Sequence, residues 1–157
     1  MKLSLVIPCY NEIDSIEELI NLCKKIINSY TEIIIVDNGS RDGSYKKLKN
    51  LKLPKNIKIK RVRKNIGYGN GILKGLKVCR GEIISWTHAD LQTDPNDIIN
   101  SYNLHKHKLL SKTCIVKGER KGRNFLDNFF TLGMSIYSSF ILGERLFDIN
   151  AQPKMFH

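Results

Sequence analysis

The feature that most constrains this chain is a repeated alternation between short apolar runs and amphipathic segments. LSLVIP at 3–8 and EIIIVD at 32–37 have the length of strands, and the segment at 15–27 between them repeats apolar residues at the helical period. The same strand-then-helix order continues along the chain. It predicts an α/β fold with a mostly parallel central sheet flanked by helices, in which ligands bind at the carboxyl ends of the strands.

The strands are expected to occupy different positions in the sheet. EIIIVD is apolar on both faces, as a central parallel strand should be, whereas IKIKRV at 57–62 alternates and should lie half-exposed nearer an edge. Two further strands are predicted at 82–88 and 113–120, and three further helices at 41–51, 69–79 and 94–107. Asp94 and Pro95 should cap and begin the last of these helices.

Length and charge bound the class of protein. A chain of 157 residues predicts a single domain, 1–157, and the net charge of +11 indicates either an anionic partner or scattered, solvated lysines. No nucleic-acid-binding motif accompanies that charge, so no nucleic-acid partner is expected. The four cysteines form no CxxC pair, which favours reduced thiols in a cytosol.

The segment WTHADLQTDP carries the polar groups best suited to a metal. His88, Asp90, Gln92 and Asp94 occupy every second position, so on an extended chain their side chains would point the same way. Imidazole, carboxylate and amide oxygen suit Mn²⁺ or Mg²⁺ when substrate phosphates complete the shell. The alternative is that Asp90 caps a turn and His88 is an ordinary histidine of the sheet.

Three other segments allow both a functional and a structural interpretation. Asp37, in VDNGS, either binds a ribose or base or simply stabilises a βα turn. Arg120 and Arg123, in the basic stretch 117–123, could clamp a phosphate or lie in a solvated loop. The glycines at 67–75 fit neither a dinucleotide fingerprint nor a P-loop, and they favour a tight helix entry or close packing.

Six segments together resemble the family 2 glycosyltransferases, and most closely the polyprenyl-phosphate sugar transferase branch that is related to dolichyl-phosphate mannose synthase. The resemblance extends from Leu3 to Phe156 and implies the GT-A nucleotide-diphospho-sugar transferase fold, shortened at its C-terminal end. The segments, in order, are VIPCYNE at 6–12, IVDNGSRDGS at 35–44, KNIGYGNGILKGL at 64–76, HADLQTDP at 88–95, KGER at 117–120 and DINAQPKMF at 148–156.

The resemblance also implies roles for particular residues. The donor and its phosphates would be bound by Pro8, Tyr10, Glu12, Val36, Asp37, His88, Ala89, Arg120, Arg123 and Lys154. A divalent metal, Mn or Mg, would be held by Asp90, Gln92 and His88. Asp90, Arg120 and Asp148 would serve catalysis. His88 stands where the family carries an acid, and an imidazole suits Mn²⁺ better than Mg²⁺.

The implied activity is sugar transfer, with inversion, from a nucleotide-diphosphate donor to a polyprenyl-phosphate or glycan-precursor acceptor. Metal and basic groups would stabilise the charge that grows on the leaving diphosphate. A lipid phosphate needs no general base, whereas a hydroxyl acceptor would need one, with Asp148 as the candidate. Because relatives continue past the position of His157, the alternative is a truncated, non-catalytic module that binds nucleotide sugar or membrane.

The apolar stretch at 125–143 bears on localisation. Asp127, Asn128 and Thr131 interrupt it, so the sequence argues against a membrane span. Its broad apolar face could instead lie in the membrane interface beside basic residues, or pack on the sheet or on a further C-terminal segment. The first alternative predicts a protein at the cytoplasmic face of the membrane with peripheral membrane contact.

Overall fold

The computed structural model describes residues 2–120, 122 and 124–157, and within them the chain forms an α/β fold. The strands are β1 Leu3–Cys9, β2 Thr31–Asp37, β3 Ile57–Arg61, β4 Ile83–Trp86, β5 Ile115–Lys117 and β6 Lys154–Phe156. The helices are α1 Ile16–Ile26, α2 Ser44–Asn50, α3 Tyr68–Leu76, α4 Pro95–Leu110 and α5 Phe125–Leu142.

The strands form one sheet in the order β3-β2-β1-β4-β6-β5. β1 pairs in parallel with β2 and β4, and β2 pairs in parallel with β3, so the predicted mostly parallel sheet is confirmed. β6 is antiparallel to β4, with Trp86 opposite Lys154 and Ile84 opposite Phe156. The sequence interpretation missed β6, because three residues carry too little pattern and their place depends on pairing with β4.

Burial follows the predicted strand positions. All residues of β1 and β2 are buried, whereas burial fades along β3 at the sheet edge. One face of the sheet packs a large apolar core with α1 and α4, and the other face packs a smaller core around Val6, Ile34 and Val36. The central and half-exposed strand assignments are therefore confirmed.

The α3 helix lies close to the sheet because two of its residues are glycines. A Cβ at Gly75 would overlap Val6 Cγ1 and would lie 3.0 Å from Val36 Cγ2. A Cβ at Gly71 would meet Pro8 Cβ at 3.2 Å. The glycine-rich segment therefore allows close packing of the helix on the sheet, which is one of the two explanations that the sequence favoured.

A buried carboxylate connects β1, β2 and β3 near the amino ends of these strands. Glu32 is fully buried and accepts hydrogen bonds from Ser4 Oγ at 2.7 Å, Lys58 Nζ at 2.7 Å and the Arg80 backbone N–H at 2.5 Å. Burial acts to raise the pKa of Glu32, but the bonds from Lys58, Ser4 and Arg80 outweigh it, and the net effect lowers the pKa. The ionised form of Glu32 therefore stabilises the fold.

The chain divides into two compact units. The first contains the residues up to Val116 together with Pro153–His157, and the second is Lys117–Gln152. Of the elements that the structure describes, the first unit contains α1 to α4 and most of the sheet. The α4 helix begins as expected, with Asp94 Oδ1 accepting from the Asn96 N–H at 2.8 Å.

The second unit is dominated by α5. Asn124 caps this helix by accepting from the Asp127 N–H at 2.8 Å, and the helix ends at Gly143, whose φ is +67°. By length and composition, α5 could cross a membrane, with a mean hydropathy of 1.2. From the sequence, the polar residues that interrupt this stretch argued against a membrane span. Those residues do not by themselves rule out a span.

Candidate functional site

A cavity of about 240 Å³ opens at the carboxyl edge of the parallel sheet, within the first unit. The ends of β1, β2 and β4 and the entry to α3 contribute its walls. Its lining residues are Pro8, Cys9, Tyr10, Glu12, Asn38, Asn65, Tyr68, His88, Ala89 and Asp90. Parallel strands deliver their carboxyl ends to one edge, which explains why residues so distant in sequence meet there.

The segment after β1 forms one wall and is held by the loop after β2. Asn11 adopts a φ of +55°, its N–H donates to Ser40 Oγ at 3.1 Å, and its Oδ1 accepts from the Arg41 N–H at 2.9 Å. This turn presents Tyr10 and Glu12 to the cavity. The structure thus brings together Pro8, Tyr10 and Glu12 as the sequence predicted.

Cys9 lies in the same wall but is unsuited to nucleophilic chemistry. Its side chain is 1% exposed, and burial together with the nearby Glu12 and Asp37 raises the pKa of the thiol to about 12. The thiol therefore remains protonated at neutral pH and contributes packing.

The two polar residues that follow β2 have different surroundings. Asp37 is fully buried, accepts from the Ser40 N–H at 3.2 Å and lies 3.5 Å from Arg61 Nε. It does not line the cavity. Asp37 Oδ1 stabilises the turn, whereas Asp37 Oδ2 is buried and, within the described part of the chain, has the Arg61 ion pair but no hydrogen-bond partner. Val36, the preceding residue, is fully buried with its side chain in the smaller core.

Asn38 lines the cavity where Asp37 was expected to. Its Nδ2 donates to Asn65 Oδ1 at 3.3 Å and to the Gly67 carbonyl at 3.0 Å. Its Oδ1 is buried and has no hydrogen-bond partner within residues 2–120, 122 and 124–157. A buried acceptor left in this state usually marks a missing partner, so Asn38 is a candidate ligand contact.

The polar segment after β4 does not stay extended. The strand ends at Trp86, Leu91 has a φ of +63°, and the Gln92 N–H donates to Asp90 Oδ1 at 3.2 Å. The expectation that the alternating side chains all point one way is therefore wrong. His88, Ala89 and Asp90 line the cavity, whereas Gln92 is exposed and does not.

Tyr68, at the start of α3, packs against His88. Their ring centroids are 4.9 Å apart at an interplanar angle of 16°, which is a stacked arrangement. Sequence reasoning missed Tyr68, Asn38 and Asn65. The available signal was that Asn38 follows β2 and that Asn65 and Tyr68 lie in and after the loop that follows β3, but their contribution depends on how α3 packs on β1 and β2.

The lining residues fit a divalent metal only in part. His88, Asp90 and Glu12 are the side chains of the cavity that could ligate one, and Asp90 Oδ1 already accepts a backbone hydrogen bond. Among the described residues, no group of three or more His, Cys, Asp or Glu side chains is arranged to hold a metal. A metal here would need oxygen ligands from a bound phosphate.

Two predicted residues meet in the second unit. Arg120 Nε donates to Asp148 Oδ1 at 2.9 Å, Arg120 Nη2 also pairs with that oxygen, and Lys117 Nζ donates to the Asp148 carbonyl at 3.4 Å. The hydrogen bond from Arg120 lowers the pKa of the Asp148 carboxyl, against an opposing effect of burial. Asp148 is thus an ionised, weakly basic carboxylate.

The remaining predicted phosphate contacts lie elsewhere. Lys154 is in β6, where its Nζ lies 5.7 Å from the centroid of the Trp86 ring, and it does not line the cavity. Arg120 comes after β5, which already ends at Lys117. Arg123 falls outside the described residues.

An open, mostly parallel sheet with a polar cavity at its carboxyl edge defines an α/β ligand-binding domain of the kind that binds nucleotides. The sequence profile of glycosyl transferase family 2 matches residues 4–139. The chain therefore belongs to that family, as its motifs indicated.

Curated relatives belong to the predicted branch. The chain is 39% identical over 101 residues to the undecaprenyl-phosphate 4-deoxy-4-formamido-L-arabinose transferase of Pseudomonas fluorescens, covering 60% of this chain and 29% of that protein. It is 32% identical over 99 residues to the dolichol-phosphate mannosyltransferase of Pyrococcus furiosus, covering 62% of this chain and 28% of that protein. The matched part is thus less than a third of each relative.

Solved structures confirm the GT-A fold. Glucosyl-3-phosphoglycerate synthase from Mycobacterium tuberculosis, in complex with UDP, matches with a TM-score of 0.70 and 16% identity over 99% of this chain and 56% of that chain. The mannosyltransferase PcManGT from Pyrobaculum calidifontis, in complex with GDP-Man and Mn²⁺, matches with a TM-score of 0.63 and 20% identity over 80% of this chain and 37% of that chain. At these identities the likeness concerns the fold alone.

Proposed function

We propose that this protein transfers a sugar, with inversion, from a nucleotide-diphosphate donor to a polyprenyl-phosphate or glycan-precursor acceptor at the cytoplasmic face of the membrane. One observation carries the proposal: the carboxyl edge of a family 2 domain gathers Tyr10, Glu12, Asn38, His88 and Asp90 around one cavity. The curated relatives, by their names, act on undecaprenyl phosphate and dolichol phosphate.

The cavity residues divide into donor-binding and charge-handling groups. Tyr10 offers an aromatic face, and Asn38 Oδ1 offers a buried acceptor for a donor N–H or O–H. Asp90 and His88 would hold Mn²⁺ or Mg²⁺ together with diphosphate oxygens, as Mn²⁺ accompanies GDP-Man in PcManGT. The metal would supply positive charge to the leaving diphosphate. Gln92, Val36, Asp37, Lys154 and Arg123 remain proposed contacts.

The state of Asp148 argues against this residue as the general base that a hydroxyl acceptor would need. A general base works best with a pKa near the operating pH, and Arg120 lowers the pKa of this carboxyl instead. A lipid phosphate oxygen is already ionised. It forms the new bond to the anomeric carbon while the bond to the donor diphosphate breaks, and the electron pair of that bond leaves with the diphosphate, so no proton has to move.

A second candidate function is binding without turnover. Within the described part of the chain, the metal-capable side chains do not form a three-ligand group. Such a module would bind nucleotide sugar or membrane and leave transfer to another chain.

The proposal is tested by incubating the protein with UDP- and GDP-sugars, polyprenyl phosphate and Mn²⁺, and by measuring labelled sugar in the lipid fraction. Asp90→Asn should reduce transfer by at least about 100-fold, a barrier increase of about 2.7 kcal/mol. Asp94→Asn is the matched control, because Asp94 caps α4 outside the cavity and asparagine also caps helices well.

The two functions predict different results. Labelled lipid that disappears with Asp90→Asn and persists with Asp94→Asn supports the transferase. Tight nucleotide-sugar binding without labelled product, for every donor and acceptor, supports the binding module. Equal transfer activity in Asp90→Asn and Asp94→Asn would show that Asp90 does not take part in transfer.

A further inference from the structure

A second cavity, of about 380 Å³, lies in the first unit beside the edge strand β3. It is called the basic cavity below, because every lining residue that is not a valine is a cation. Those cations are Lys60, Arg61, Arg63, Lys74 and Lys77. Within the described part of the chain no carboxylate lines it, and it shares no residue with the cavity at the carboxyl edge. A cleft lined by one sign of charge concentrates ions of the opposite sign.

The shape of the basic cavity is set by the fold. Val62 and Val78 complete its lining, and both are half-buried against the smaller core of the sheet. Val62 directly follows β3, and Val78 comes two residues after the end of α3. The cations are therefore carried by an ordered strand, an ordered helix and the residues next to them, so their positions are held before any ligand binds.

Among the described residues, four of the five cations have no counter-charge. Arg61 is engaged, since its Nε lies 3.5 Å from Asp37 Oδ2 and its guanidinium lies 4.0 Å from the centroid of the Tyr45 ring. The others are exposed, and no side-chain hydrogen bond or ion pair joins them to a residue that the structure describes. They are called the cation cluster below and are Lys60, Arg63, Lys74 and Lys77.

Protection of the sheet edge explains only part of the cation cluster. A lysine on an edge strand keeps other chains from pairing with that strand, which accounts for Lys60. Lys74 and Lys77 lie at the end of α3 instead, three residues apart and so on the same side of the helix. Like charges at neighbouring helical positions repel each other, and an anion bound between α3 and β3 would offset that repulsion.

The residue types of the cation cluster favour phosphate as the anion. A guanidinium matches two phosphate oxygens at once, and the ammonium group of lysine binds phosphate as a point charge. The volume of the basic cavity falls in the range of about 300–1,000 Å³ that small-molecule sites have, so it has room for more than one phosphate group. Unbalanced positive charges on both sides of the cavity call for a ligand that carries several negative charges.

We propose that the basic cavity binds a small, multiply phosphorylated molecule, whose phosphates contact the cation cluster on the β3 side and on the α3 side. The net charge of +11 indicated either an anionic partner or solvated lysines, and the basic cavity favours the anionic partner. The site goes beyond the proposed transfer reaction, because it uses neither a metal nor any residue of the carboxyl-edge cavity.

The test is calorimetric titration of the whole chain with sodium tripolyphosphate, in buffer with EDTA so that no divalent metal carries the probe to the carboxyl-edge cavity. Wild-type protein should bind the probe, and the affinity should fall as NaCl is added, because the contacts join charges. The double variant Lys74→Gln, Lys77→Gln should bind at least about tenfold more weakly, since two of the charged contacts are lost. Lys60→Gln should weaken binding independently from the β3 side.

The matched control is the double variant Lys24→Gln, Lys25→Gln. It removes the same charge from exposed positions of α1, outside the basic cavity, and should leave tripolyphosphate binding unchanged. Sodium sulfate at the same ionic strength is the second comparison. It should bind wild-type protein at least about tenfold more weakly than tripolyphosphate, because sulfate cannot reach both sides of the cavity with separate charged groups.

Two accompanying measurements separate the outcomes. Circular dichroism establishes that the variants fold, and calorimetry with UDP and Mn²⁺ reports the carboxyl-edge cavity, so a failure of the proposed transferase would appear there and not in the tripolyphosphate titration. Tripolyphosphate binding that is weakened in the Lys74, Lys77 variant and in Lys60→Gln, but not in the control, supports the proposal. Equal binding in wild type and the Lys74, Lys77 variant overturns it, as does equal weakening in both double variants or equal affinity for sulfate.

Discussion

At the scale of single residues, His88 is the residue at which this site departs from the pattern of its family. The resemblance places an acid at its position, but the structure has an imidazole stacked on Tyr68, 4.9 Å between ring centroids. The ring lies two residues before Asp90, and both residues line the cavity. A metal shared by these two side chains would meet one negative charge instead of two, so metal choice should depend on His88.

Substitution of His88 tests that dependence directly. His88→Asp should tighten Mg²⁺ binding about tenfold, or 1.4 kcal/mol, because a hard carboxylate replaces a neutral nitrogen ligand. Calorimetric titration of Mg²⁺ and Mn²⁺ in the presence of UDP measures the change. His107→Asp, on the exposed end of α4, is the control. An unaltered preference between the two ions would show that His88 is not a ligand.

The sequence could predict the residues whose place depends only on strand ends. Pro8 lies in the last part of β1, Tyr10 and Glu12 follow that strand, and Asp90 lies in the segment after β4. All four line the cavity. It could not predict the orientation of Gln92, because the positive φ of Leu91 turns the chain after Asp90. Asn38, Asn65 and Tyr68 needed the tertiary fold, since they line the cavity from the loop after β2, the loop before α3 and the first residue of α3.

At the scale of elements, α3 packs closely on the sheet because Gly75 has no side chain. Gly75→Ala should destabilise the protein by about 1–3 kcal/mol, because the new methyl group overlaps Val6. Gly69→Ala, in the same helix, is the control: a Cβ there meets nothing within 4 Å, so the better helix former should be neutral or stabilising. Urea unfolding compares them, and equal stabilities would contradict the packing argument.

The buried Glu32 should give the fold a dependence on acid. Because the folded state lowers the pKa of Glu32, its contribution is complete above the ordinary value of 4.5 and is lost as pH falls through the lower folded pKa. Glu32→Gln should cost about 1–3 kcal/mol at neutral pH and flatten the loss of stability below that value. Urea unfolding at several pH values measures both effects.

The control for Glu32 is a carboxylate that is mainly solvated. Glu17 has a side chain that is 65% exposed and pairs with Lys47 at the surface, so Glu17→Gln should change stability by less than about 1 kcal/mol. Similar losses of unfolding free energy in Glu32→Gln and Glu17→Gln would show that the buried hydrogen bonds of Glu32 add no stability beyond that of a surface ion pair. The pattern EIIIVD predicted the strand, but the partners of Glu32 lie on other segments and could not be read from it.

At the scale of the whole molecule, the excess of positive charge should weaken the compact state. A net charge of +11 is self-repelling, and salt screens charges over about 8 Å at physiological ionic strength. Added NaCl should therefore raise the unfolding temperature, measured by circular dichroism. Lys46→Glu, at an exposed position of α2, lowers the net charge by two and should respond less steeply. A falling unfolding temperature would contradict the repulsion argument.

The return of the chain to the sheet through β6 has a practical consequence. Trp86 is the sole tryptophan of the chain, and it lies in β4 opposite Lys154, with its ring in edge contact with Phe156 at 5.6 Å. Its environment is thus built in part by β6 and in part by the smaller core around Val6, Ile34 and Val36. The fluorescence of Trp86 should therefore report whether β6 is paired with β4. One optical signal can follow this step of folding without any added label.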